Sequence, residues 1–109
     1  MAKLATMALT GASGQQYNFN VYSIDTEFQS LGAVYYVSRR TMANQKGSHT
    51  EVYIGQSGDI SERFENHHKA YCFHQHGANC ISIHADDNEF SRLDKEQDLI
   101  QAYNPPCND

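Results

Sequence analysis

The sequence predicts an α+β fold: a small, mainly antiparallel three-stranded central sheet flanked by helices, with an extra N-terminal strand at its edge. Strand-like apolar runs recur at 17–24, 32–37, 52–55 and 79–84, and helical spacing occurs near 59–72 and 89–103. The chain has 109 residues, 39% of them hydrophobic, which suffices for one core and not for two.

The elements follow in order. Residues 1–16 are expected to form a flexible N-terminus. In YNFNVYSI (17–24), Tyr17, Phe19 and Val21 alternate with Asn18 and Asn20, the period of a half-buried strand. Residues 17–31 are thus an edge strand with its connection to a domain spanning 32–109, the whole forming one compact unit. GAVYYV (32–37) is a continuous run rich in β-branched and aromatic residues, expected of a central strand buried on both faces. SRRTMANQKGSHTE (38–51) reads as a long hairpin loop, and VYIG (52–55) returns as the partner strand. Asp59 and Glu62 form a variant capping box, and Ile60, Phe64, His67 and Tyr71 then share one helix face. NCISIH (79–84) alternates as a third core strand, and a second helix runs from about Glu89 to Tyr103, where Pro105 and Pro106 prevent continuation.

Net charge is −5, which excludes general adhesion to polyanions, because such binding depends on Lys and Arg displacing counterions from phosphates. The balance is uneven: residues 1–58 carry +1 and residues 59–109 carry −6. A nucleic-acid-facing surface is therefore expected to use Arg39, Arg40 and Lys46. No apolar run approaches the length of a membrane span and the opening residues lack a sustained apolar core, so a cytoplasmic protein without membrane contact is expected. Three cysteines in such a chain read as free thiols and not as a disulfide framework.

Two features point to chemistry. Glu96 falls near the middle of the apolar arc made by Phe90, Leu93, Leu99, Ile100 and Tyr103. A carboxylate there is either a structural ion pair or snorkelling edge residue, or a metal ligand or general base in a cleft. Arg63 and His67, four residues apart, are either an anion clamp or a pair made of an Arg satisfied by Glu62 or Glu65 and a packing His.

These residues carry a resemblance to the GIY-YIG nuclease superfamily. Ala33-Val34-Tyr35 stands where the first signature strand falls, with Ala33 in place of the leading glycine, and Val52-Tyr53-Ile54-Gly55 matches the second. YIGQSGDISERFENH (53–67) follows the family's run of strand, turn and helix, and EQDLIQAYNPPCN (96–108) resembles its closing segment. The resemblance covers 32–108 and implies a divalent-metal-dependent endonuclease that hydrolyses DNA phosphodiester bonds. It implies catalytic roles for Tyr35, Tyr53, Arg63, His67, Glu96 and Asn108: the tyrosines orient or deprotonate the attacking water with His67 assisting, and Arg63 holds the scissile phosphate. Glu96 would hold one Mg²⁺ (or Mn²⁺), and Asn108 would support the phosphate site. DNA would be held weakly by this chain alone, with a protein partner supplying affinity. The alternative is a catalytically retired domain of the same type that binds nucleic acid or a protein partner.

Cys72, His74, His76 and Cys80 are all zinc-ligand types, but their spacing matches no closed site and Cys80 falls within a core strand. Zinc is not expected as the cofactor.

Overall fold

The computed structural model of the chain describes residues 3–43, 46–61 and 69–108. Their framework is one curled antiparallel sheet of five strands, β1 (Ala5–Thr10), β2 (Gln16–Ser23), β3 (Ala33–Ala43), β4 (Lys46–Ser57) and β5 (Cys80–Ala85), ordered β1-β2-β5-β3-β4. Two α-helices accompany it, α1 (Ala70–Gln75) and α2 (Glu89–Tyr103), and a short 3-10 turn (Pro106–Asn108) closes the chain.

The expected three-stranded sheet flanked by helices is therefore corrected to a five-stranded, strand-dominated fold. The difference arises at the N-terminus. Residues expected to be flexible include β1, in which Ala5, Met7 and Leu9 turn toward the protein while Thr6, Ala8 and Thr10 stay exposed. β1 pairs with β2 from Ala5↔Val21 to Thr10↔Gln16, so β2 is not an edge strand. On its other side β2 pairs with β5, from Asn20↔Ile83 to Ser23↔Cys80. The stretch 38–51, expected as a loop, is mostly strand: β3 and β4 stay paired out to Ala43↔Lys46.

The expected neighbours 32–37 and 52–55 do lie side by side in β3 and β4. β3 is central, between β5 and β4, and Ala33 through Ser38 are all buried, as a continuous apolar run requires. Alternation along β3 then divides the core. Tyr35 and Val37 join Tyr53, Ile60, Phe73 and Ile81 on one face, while Val34 and Tyr36 join Phe19, Ile54 and Leu99 on the other.

α2 begins and ends where its capping residues dictate. Asn88 Oδ1 accepts the Ser91 N–H at 2.9 Å, and Asn104 takes a left-handed conformation (φ 46°) just before Pro105. α1 extends beyond its expected end at 72, and the stretch 62–68 of that expected helix lies outside the described residues. Ahead of it the Asp59 carboxylate accepts both the Ser61 N–H (2.9 Å) and the Ser61 O–H (2.6 Å).

Two carboxylates fasten α2 to the rest of the chain. Asp98 accepts from the Ser13 N–H (2.8 Å), the Ser13 hydroxyl (2.7 Å) and the Tyr17 hydroxyl (2.8 Å), tying the β1–β2 hairpin to the helix. Asp86 pairs with Lys95 (2.8 Å) and accepts from the Ser91 hydroxyl (2.6 Å). The Ser13 and Tyr17 hydrogen bonds hold the Asp98 carboxyl below its ordinary pKa, and Lys95 together with Ser91 does the same for Asp86. Both folded-state pKa values lie below the unfolded one, so the unfolded chain binds more protons in acid. Stability from these groups is complete above the unfolded carboxylate pKa of about 4 and is lost as pH falls below it. Thermal melts between pH 7 and pH 3 should show the transition falling steeply below about pH 4, and the double variant Asp86→Asn, Asp98→Asn should show a shallower fall. Equal slopes would mean that neither carboxylate contributes.

Candidate active site

The two signature tyrosines come together because β3 and β4 pair in a particular register. Tyr35 lies opposite Gly55 and Val37 opposite Tyr53, so both phenols project from the same face of the sheet. Their ring centroids are 5.9 Å apart, and Phe73 of α1 packs against Tyr53 at 5.4 Å. A bulge follows at once: Ser38 pairs with Glu51, leaving Val52 as the extra residue of β4 immediately before Tyr53. Tyr35 has no exposed surface, whereas Tyr53 keeps 8% exposure.

Gly55 makes this arrangement possible. A Cβ there would lie 2.5 Å from the Tyr35 hydroxyl and 2.8 Å from the Tyr53 ring, closer than atoms approach. The Tyr35 side chain crosses its strand neighbour through space that only glycine leaves open. Gly55→Ala should therefore cost about 1–3 kcal/mol, the usual penalty for overpacking. Denaturant melts measure it, and a neutral variant would show that the tyrosines can shift freely.

Glu96 is half-buried on α2, one turn from the buried Leu99 and one turn from the buried Arg92. Two cations of the same helix bind neighbouring elements. Arg92 donates from Nε to Gln56 Oε1 (3.0 Å) and from a terminal nitrogen to the Asp86 carbonyl (3.1 Å), while Lys95 meets Asp86 and the His84 ring at 2.9 Å. Gln56 and Arg92 thus anchor α2 to β4, a contact that no periodicity in the sequence announces. Arg63 and His67 lie outside the described residues.

Asn108 is engaged with the backbone of β4. Its Nδ2 donates to the Ile54 carbonyl (2.7 Å) and its Oδ1 accepts the Ile54 N–H (2.9 Å), so the amide clasps the backbone between Tyr53 and Gly55. Asn79 makes the same two-point clasp on Arg40, at 2.7 Å and 3.0 Å. Arg39 and Arg40, consecutive on β3, point to opposite faces and do not share one basic patch. Arg39 is exposed, whereas Arg40 is half-buried with its Nε unpartnered among the described residues. The Lys46 side chain lies outside the described residues.

Free thiols at Cys72 and Cys107 are corrected: the two form a disulfide across a separation of 35 residues, with Cα atoms 5.9 Å apart, joining α1 to the C-terminal turn. Cys80 is a free buried thiol whose pKa is pushed up by burial. The grouping of Cys72, His74, His76 and Cys80 is thereby divided, since Cys72 is bonded to Cys107 and Cys80 is buried in β5. A cavity of about 740 Å³ opens between the C-terminal ends of α1 and α2, lined by Arg39, Glu51, His74, His76 and Tyr103 among others, but not by Tyr35, Tyr53 or Glu96.

Comparison with protein-family models, with curated proteins and with solved structures returned no match. Among the described residues, no helix is long and apolar enough to cross a membrane.

Proposed function

We propose that the chain is a divalent-metal-dependent endonuclease of the GIY-YIG kind, hydrolysing DNA phosphodiester bonds. One observation carries the proposal: the Tyr35 hydroxyl passes over Gly55 beside the Tyr53 ring. The Y-x-G spacing of β4 thereby has a spatial reason, and both signature tyrosines converge although 18 positions separate them.

Tyr53 keeps the small remaining exposure of the two, and Tyr35, fully buried, is a positioning residue. In the proposed step a water oxygen attacks phosphorus in line as the bond to the leaving sugar oxygen breaks. The water's proton passes to the Tyr53 oxygen as the Tyr53 hydroxyl proton passes to neutral His67, the leaving sugar oxygen takes a proton from solvent, and Arg63 holds the non-bridging oxygens. Glu96 offers hard oxygen donors on a half-buried position of α2, a donor type that suits Mg²⁺ or Mn²⁺. A cation held there would supply charge neutralisation for the phosphoryl transfer. Asn108 acts indirectly by fixing the strand that carries Tyr53.

DNA affinity of the isolated chain is weak, because its charge is −5 and Arg39 and Arg40 diverge, so a protein partner supplies the remainder. Supercoiled plasmid and branched DNA incubated with Mg²⁺ or Mn²⁺ should be nicked, and EDTA should stop the reaction. The full burial of Tyr35 favours one second reading, a retired domain of this type that binds nucleic acid or a partner without cutting. DNA binding with no cleavage of any structure by either metal would put that reading in place of the nuclease.

A further inference from the structure

We propose that Cys72, His76 and Cys107 form a thiol-gated zinc site, closed to metal while the disulfide stands and opened by a dithiol reductant. The three residues come from two chain segments. Cys72 and His76 are four residues apart at the end of α1, hence on one side of it, and Cys107 reaches them from the C-terminal turn. Their ligand atoms all lie within 4.8 Å of one another. In tetrahedral zinc sites, thiolate and imidazole donors stand about 3.5–3.8 Å apart, so only short side-chain movements separate this group from a coordinating one.

The chemistry of the donors selects the metal. Two thiolates and a neutral imidazole are soft or borderline ligands, suited to Zn²⁺ and poorly suited to Mg²⁺. Two thiolate charges also cancel the dication, so the complex places no net charge beside Cys107, which is only 1% exposed. His76 is exposed and Cys72 half-buried, so reductant and metal both approach from the side of the cavity that His76 lines. A solvent molecule would complete four-coordination there.

The gate is a balanced exchange. A dithiol delivers two electrons and two protons to the Cys72–Cys107 bond and is itself oxidised to a disulfide, and Zn²⁺ then displaces the two thiol protons. Metal and disulfide use the same two sulfurs and exclude each other. Either one holds α1 to the C-terminal turn, so the link survives a change of redox state.

The test titrates the whole protein with Zn²⁺ against a chromophoric chelator, once oxidised and once in a non-chelating phosphine reductant, with no DNA present. One equivalent should bind to the reduced protein and less than about a tenth of an equivalent to the oxidised protein. His76→Ala should weaken binding by about tenfold or more, and Cys80→Ala should leave it unchanged. Zinc should also raise the melting temperature of the reduced wild-type chain by about 10 °C, a readout that needs no variant. Equal zinc uptake in both redox states, undiminished affinity in His76→Ala, or a reduced chain that zinc neither binds nor stabilises would each overturn the proposal. Every outcome is independent of whether the protein cuts DNA.

Discussion

Replacing Cys72 and Cys107 together by serine should lower the melting temperature by roughly 15–25 °C under metal-free, oxidising conditions. The Cys72–Cys107 bond closes a loop of 35 residues, and restricting the unfolded chain over that span corresponds to about 4 kcal/mol in the chain-entropy account. In a domain of this size that is a large share of the total, since whole-domain stabilities are only about 5–15 kcal/mol. The loss should fall first on α1, a helix of only six residues that the disulfide ties to the C-terminal turn and that packs Phe73 on Tyr53. Melts of wild type with and without reductant provide the same comparison without a substitution. A shift under about 5 °C would show that packing alone already holds α1 in place.

Glu96→Gln and Arg63→Ala should each reduce metal-dependent nicking by about 10²- to 10³-fold, the cost of removing one group that stabilises developing charge. Glutamine keeps the size and polarity of residue 96 but removes the charge that would hold the cation, so circular dichroism and the melting point should stay close to wild type. Loss of cleavage together with loss of structure would instead make Glu96 a structural residue of α2. Full activity in either variant would remove it from the proposed machinery.

The legible parts of the fold are those where local chemistry speaks without long-range help. α2 is legible because Pro105 and Pro106 block its continuation locally, and its span agrees with 89–103, while its caps at Asn88 and Asn104 emerge only in the structure. β3 was legible as central because six consecutive buried positions leave no polar face. β1 was not, since Ala5, Met7 and Leu9 face inward while another alanine, Ala8, faces out, leaving little contrast for a period of two to show. Once β1 is missed, β2 is taken for an edge. The disulfide was equally hidden: an odd number of cysteines says nothing of which two lie within bonding distance, and that pairing depends on where α2 delivers the C-terminus. At the candidate site, Tyr35, Tyr53 and Gly55 were legible as a pattern, but the reason for the glycine is a contact between strands. The clasp of Asn108 on Ile54 is not legible in the sequence, because nothing there tells whether an amide meets a neighbouring backbone.

That amide has a consequence for how the molecule behaves among copies of itself. β4 is an outermost strand, and an outermost strand offers unsatisfied backbone groups on which another chain can continue the sheet. By presenting one acceptor and one donor to Ile54, Asn108 imitates a single residue of a further strand and fills that position from within the same molecule. The last turn of the chain thus acts as a stopper against sheet growth, set beside the very strand that carries Tyr53. Replacing Asn108 by alanine would keep Cys107 and its disulfide in place while freeing that position of β4 for self-association.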